Sequence, residues 1–226
     1  MTKIIVPEWP LPASVAACSS TRVGGVSEGA WDSLNLGAHC GDNLEHVEEN
    51  RKRMFAAGKL PSKPVWLEQV HGKEVLHLTG EPYASKRADA SYSNTPGTVC
   101  AVMTADCLPV LFCNKAGTEV AAAHAGWRGL AAGVLERSVD ALRRAVGDAP
   151  LRAWIGPAIG PTAFEVGDEV RAAFLRTDPG AAACFVAAHT SRPPEAIKWL
   201  ADLPELARGR LLAAGVADVG LSGWCT

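Results

Sequence analysis

Three residues stand in surroundings suited to chemistry: His71 in Gln69-Val70-His71-Gly72, Cys107 in Thr104-Ala105-Asp106-Cys107-Leu108-Pro109, and His124 in Ala123-His124-Ala125-Gly126-Trp127-Arg128-Gly129. Two imidazoles and one thiolate form a natural ligand set for zinc or copper. Three protein ligands leave a fourth position open, which a catalytic metal site needs and a structural one lacks. The separations, 36 residues from His71 to Cys107 and 17 from Cys107 to His124, are unlike the short pairs of zinc fingers. The same residues also fit a Cys/His nucleophilic pair, with Cys107 attacking and a histidine as base. They fit a plainer role too, as core histidines and a small buried thiol. Spacing alone does not separate these readings.

Other polar residues lie near them in the chain. Arg128 follows His124 by four residues, is flanked by Gly126 and Gly129, and is expected just before a helix N-terminus. Such an end carries unpaired N–H groups and the positive end of the helix dipole, which suits an anion. Arg22 lies in a Ser-Thr-Arg-Val-Gly-Gly loop whose amides could approach an anion or form an ordinary turn. Asp106 and Asp89 are carboxylates that could orient a ligand histidine or move a proton.

The elements that must position these residues follow from apolar patterning. Residues 44–57 read as a helix, with Asn43 as N-cap and Gly58 just beyond its end. Residues 64–78 read as strand, tight turn at His71-Gly72-Lys73, and strand. Residues 86–98 are polar and turn-rich. Residues 99–103, 108–113 and 119–123 read as buried strands, the last delivering His124 at its end. A helix is expected over 130–146, with Val134, Leu135, Val139 and Leu142 on one face. Further on come a strand over 152–155, a helix over 167–175, a short strand within 180–187, an amphipathic helix over 197–214 and a strand over 216–221. Strands and helices mix irregularly, which predicts an α+β (mixed α/β) sandwich rather than a regular parallel series.

At 226 residues and 48% hydrophobic composition, the chain suits one domain, 1–226, with a sizeable core. No apolar run reaches a membrane span, so no membrane partner is expected. The first ten residues do not form a signal peptide. Seven scattered cysteines show no disulfide framework. Together these predict a cytoplasmic protein. The net charge of −2, with no basic stripe, argues against a nucleic-acid polymer as partner. A small anionic substrate remains compatible. The oligomeric state is not readable.

Several blocks are longer and more unusual. They are Ser20-Thr21-Arg22-Val23-Gly24-Gly25-Val26-Ser27, Ser33-Leu34-Asn35-Leu36-Gly37, Ala88-Asp89-Ala90, Gly156-Pro157-Ala158-Ile159-Gly160, Cys225-Thr226 and the three that hold His71, Cys107 and His124. With them the chain resembles the laccase-domain family, also called multicopper polyphenol oxidase-like or YfiH-like. The resemblance implies a four-layer α/β/β/α sandwich with mixed sheets, like the cytotoxic necrotizing factor deamidase fold. It implies zinc ligands at His71, Cys107 and His124, one ion per chain, with copper as the other metal ascribed to the family. For the implied activity, His71, Cys107 and His124 with Arg128 and Asp106 are the expected catalytic residues, and Arg22, Asn35, Gln69, Asp89 and Arg128 the expected substrate contacts.

The implied activity is purine nucleoside phosphorolysis of adenosine, inosine and 5′-methylthioadenosine, with adenosine deaminase activity in addition. Nucleoside and phosphate are the implied partners. Three other functions resemble family descriptions or fit the residues: an amidase editing L-Ser-containing muramyl precursors, a copper-dependent polyphenol oxidase, and a non-catalytic metal- or nucleoside-binding protein. Six histidines, only two of them in site-like blocks, are too few for a multicopper cluster. Family members usually continue past the Cys-Thr pair with an aromatic and basic segment, which is not found after Thr226. Its lack is expected to leave a sheet edge unpaired.

Overall fold

The computed structural model describes residues 1–80, 82–147, 149–188 and 197–226. In chain order the first elements are β1 (Ile4–Ile5), β2 (Ser19–Ser20), α1 (Leu44–Ala57), β3 (Val75–His77), β4 (Ala90–Ser93), β5 (Leu108–Asn114) and β6 (Val120–Ala125). They are followed by α2 (Trp127–Ala132), α3 (Val134–Val146), β7 (Leu151–Ile155), β8 (Glu165–Gly167) and α4 (Asp168–Leu175). The last are β9 (Phe185–Ala187), β10 (Lys198–Ala201), α5 (Leu203–Ala213) and β11 (Asp218–Leu221). None of the described helices is long and apolar enough to cross a membrane.

Six strands form one mixed sheet in the order β11-β7-β5-β6-β4-β3. The outer pairs β11/β7 and β3/β4 are parallel, and the inner pairs are antiparallel. A second, antiparallel sheet has the order β8-β10-β9, and β1 pairs with β2. The expected mixed α/β architecture with mixed sheets is therefore found.

Side-chain alternation assigns the faces of the large sheet. Leu108, Val110 and Phe112 of β5, Ala121, Ala123 and Ala125 of β6, and Leu151, Ala153 and Ile155 of β7 share one buried cluster with the helices. Val134, Leu135, Val139 and Leu142 of α3 pack there, on β6, β4 and β3, while α5 covers β7 and β11. The alanines of β6 let the bulky face of α3 approach the sheet closely. Each large side chain so buried contributes roughly 1.5–3 kcal/mol. On the opposite face Trp154, Cys113, Leu111 and Val120 pack against Trp9, Ile5, Leu11 and Val15 of the N-terminal segment. His124 belongs to that opposite face by parity.

Helix α1 has the expected bounds, and the Asn43 side chain accepts the Glu45 amide at its N-terminus. Several expectations are corrected. The helix expected over 130–146 is two helices, broken at Gly133 with φ 96°, so Arg128 lies inside the first turn of α2. Residues 99–103 are not a strand, and the polar stretch 86–98 contains β4, which lies between β6 and the edge strand β3. Its small side chains Ala90, Ser91 and Ser93 are buried without being bulky. Residues 198–201, expected to begin a helix, form β10, and α5 starts only at Leu203. Of the expected hairpin over 64–78 only β3 is a strand.

Candidate metal centre

Sheet register brings the site together. β6 pairs antiparallel with β4 so that Ala123 faces Ala90, and with β5 so that Ala125 faces Leu108. One step beyond the paired ends, Asp89 precedes β4 beside His124, and Cys107 precedes β5 beside Gly126. The His124 amide donates to the Asp89 carbonyl at 2.7 Å. His71 comes from the loop before β3, where it takes a left-handed conformation with φ 57°. His71, Cys107 and His124 thereby converge, with one ligand atom from each lying within 4.8 Å of the others. The two imidazoles meet edge to face with ring centres 4.8 Å apart. Cys107 Sγ lies 3.9 Å from His71 Nε2. His124 is buried, Cys107 half-buried and His71 exposed, so the cluster opens to solvent on one side.

The donors fit a metal. His124 Nδ1 is 2.8 Å from Asp89 Oδ1, which leaves Nε2 as its free donor. Space for the cluster comes from Gly126. A Cβ there would stand 2.7 Å from Cys107 Sγ and 3.0 Å from His71 Cδ2. Gly129 allows a second close approach, since its Cβ would stand 2.8 Å from the Gly72 carbonyl oxygen. Both glycines lie in the block around His124, but only their neighbours in space reveal why the side chain is missing.

The electrostatics suit cation binding. Burial raises the Asp89 carboxyl, but hydrogen bonds from His124 and from the Gly72 and Val70 amides outweigh it and hold the group below its ordinary value. Burial pushes the His124 imidazole down, against the pull of Asp89, which favours its neutral, ligating form. Burial, with the Asp106 and Asp89 carboxylates nearby, pushes the Cys107 thiol up. A thiol so placed ionises best when a cation takes the place of its proton.

The other expected residues fall into two groups. Gln69 ties the ligand loops together: its Nε2 donates to the Met103 carbonyl at 2.8 Å, and its Oε1 accepts the Met103 amide at 2.8 Å. Asp106 accepts from the Thr226 hydroxyl at 2.9 Å, and its carbonyl accepts the Ile159 amide at 2.9 Å. It thus anchors the turn before Cys107, while Asp89 contacts His124. Arg128 is exposed, with its guanidinium carbon 4.4 Å from the centre of the Trp127 ring. Among the described residues it has no hydrogen-bonding or ion-pair partner.

Arg22 and Asn35 serve the N-terminal loops. Arg22 donates from Nε to the Asp32 carbonyl at 2.7 Å, and Asn35 donates to Asp42 Oδ2 at 2.9 Å. Sequence reading overlooked Asn50, which is buried on α1. It donates to the Ser27 hydroxyl at 2.8 Å and the Asn35 carbonyl at 2.9 Å, and accepts the Val26 amide at 2.8 Å. A lone polar residue on a helix carries no signal of loops that pack on it from elsewhere. His189 lies outside the described residues.

A mixed α/β fold that gathers two histidines and a cysteine at the strand ends of its main sheet defines a class of candidate metal proteins. Comparison narrows it: the chain belongs to the family described as multi-copper polyphenol oxidoreductase laccase, whose pattern matches residues 16–226. A protein called purine nucleoside phosphorylase YfiH, from Shigella flexneri, is 68% identical over 228 residues, covering 100% of this chain and 89% of that protein. A purine nucleoside phosphorylase of Pseudomonas aeruginosa is 53% identical, covering 100% of this chain and 89% of that protein. The crystal structure of a Neisseria meningitidis protein superposes with a TM-score of 0.86 at 45% identity, covering 98% of this chain and 88% of that chain. YlmD from Geobacillus stearothermophilus superposes at 0.79 with 32% identity, covering 94% and 82% respectively. The resemblance expected from the sequence motifs is borne out.

Proposed function

We propose that this protein is a zinc-dependent purine nucleoside phosphorylase acting on adenosine, inosine and 5′-methylthioadenosine, with adenosine deaminase activity at the same site. The observation that carries the reading is the convergence of His71, Cys107 and His124, with Asp89 behind His124. The names of relatives at 68% and 53% identity point the same way. His71, Cys107 and His124 would hold the ion, and zinc so held supplies Lewis acidity and lowers the pKa of water to about 7.

The chain's own groups divide the remaining work. The Arg128 guanidinium carbon lies 4.4 Å from the centre of the Trp127 ring, and its N–H groups could grip two phosphate oxygens. Contact with the Trp127 ring restrains the side chain, which reduces the freedom lost on binding. The exposed side of the cluster, near His71, admits the nucleoside. The half-buried flank near Cys107 limits water. Asp106, next to Cys107 in the chain, is the candidate for proton movement to the leaving base.

The test is purified protein incubated with adenosine or inosine, with and without phosphate, followed by chromatography. Ribose 1-phosphate with free base is expected only with phosphate, and inosine from adenosine in either case. Metal-replete protein yielding none of these products ends the proposal.

The second reading is an amidase with Cys107 as nucleophile and His71 as base. It draws on the 3.9 Å contact between them. The raised Cys107 thiol speaks against it, because activated cysteines are lowered. Chelator sensitivity supports the metal reading; inactivation by a thiol reagent with indifference to chelator supports the amidase. Copper in place of zinc is the variant suggested by the family's description, and metal analysis of protein isolated from cells decides it.

A further inference from the structure

We infer that Asp89 is a positioning residue which sets both histidines of the cluster at once, through one buried carboxylate that spans the His124 ring and the backbone turn of His71. Its Oδ1 lies 2.8 Å from His124 Nδ1 and accepts the His71 amide at 2.9 Å. Its Oδ2 accepts the Gly72 amide at 2.7 Å and the Val70 amide at 3.1 Å. Asp89 is fully buried. A carboxylate has about four acceptor positions, and all four are filled. None remains for a substrate or a metal, so the group acts only through its neighbours.

Two consequences follow for the ligands. The carboxylate accepts from Nδ1 and so keeps the proton there, turning the unprotonated Nε2 of His124 toward the cluster. Three consecutive amides wrapped around one anion hold the turn at Val70-His71-Gly72, and this nest keeps His71 in a left-handed conformation unusual for a residue other than glycine. Loss of the carboxylate therefore disturbs two ligands at once.

Asp89→Asn keeps the size of the side chain but replaces one acceptor by a donor. It would face three backbone N–H groups and the ring N–H with one oxygen. The proposal rests on the metal reading of the site, and the experiment keeps the two apart. Zinc affinity of wild type and variant is measured by competition with a chromogenic chelator. Cobalt(II) absorption spectra report ligand geometry, and nitrogen-15 NMR of the metal-free wild type reports the His124 tautomer. Expected are a 10- to 100-fold weaker zinc affinity in the variant, an altered cobalt spectrum, and an Nδ1–H tautomer for His124. Zinc affinity within threefold of wild type, with an unchanged cobalt spectrum, overturns the proposal. So does an Nε2–H tautomer in the wild type, a measurement that stands even if the variant does not fold. A wild type that takes up neither metal overturns the metal reading and this proposal with it.

Discussion

At the residue scale, Gly126 and Arg128 make the sharpest predictions. Gly126 leaves the space in which the three donors meet. In Gly126→Ala the new methyl group would contact Cys107 Sγ at 2.7 Å and His71 Cδ2 at 3.0 Å. One donor must move. Stability should fall by about 1–3 kcal/mol, the usual range for overpacking, and zinc content should drop well below one per chain. A variant with full zinc content and full turnover would show that the space is not used. Arg128 is a different case, being exposed with its guanidinium over the Trp127 ring. Arg128→Ala should leave zinc content unchanged and cut phosphorolysis by about 100-fold, the loss of one charge-assisted contact worth about 3 kcal/mol. Deamination uses water and should suffer less. Arg128→Lys should recover only part, because an ammonium cannot make the bidentate contact. Equal loss of both activities, or an unchanged dependence on phosphate, would count against a phosphate role.

At the element scale, the break between α2 and α3 sets how the chain leaves the site. Gly133 ends α2 with φ 96°, and its amide bonds back to Gly129 and Leu130 carbonyls. A Cβ there would meet only Glu136 Oε2, at 3.5 Å. Gly133→Ala should therefore cost backbone strain alone, about 1 kcal/mol, read by chemical denaturation. Zinc binding should be unaffected, since Gly133 stands at the end of α2 away from Gly126. A loss of metal in this variant would mean that the α2–α3 angle controls the cluster. The same break explains why one helix was expected over 130–146. The apolar period runs on through Leu130, Val134, Leu135 and Val139, and glycine inside a helix costs only about 1 kcal/mol. Period alone does not reveal that this glycine takes the left-handed conformation. The missed β4 has a parallel cause. Ser91 and Ser93 are buried, and small polar side chains in a core carry no apolar alternation.

At the scale of the whole molecule, the half-buried thiol of Cys100 and the buried thiol of Cys113 link stability to alkaline pH. Burial pushes Cys100 up to about 12 and Cys113 up to about 11, from an ordinary 9.0. Between about pH 9 and those values the folded chain keeps protons that the unfolded chain gives up. Stability is thus fully present below pH 9 and falls as pH rises. Denaturation midpoints measured from pH 8 to pH 11 should decline, and Cys113→Ala should lessen the slope. An identical slope in that variant would remove Cys113 from the explanation. Neither thiol should be alkylated in the folded protein at pH 8, whereas exposed Cys40 and Cys225 should react.

The sequence by itself carried the three candidate donors, the mixed α/β class, the bounds of α1 and the family motifs. Those depend on residue type and local period, which any stretch of chain displays. The convergence of His71, Cys107 and His124 was decided by tertiary structure, because it depends on β4, β5 and β6 pairing in one register across 35 and 17 residues of chain. The sequence left Asp89 and Asp106 as equal candidates for the histidine partner. Register separates them: Asp89 stands beside His124, while Asp106 turns to Thr226. A carboxylate's partner is set by which strand lies next to it, and strand neighbours are chosen by the packing of the whole sheet.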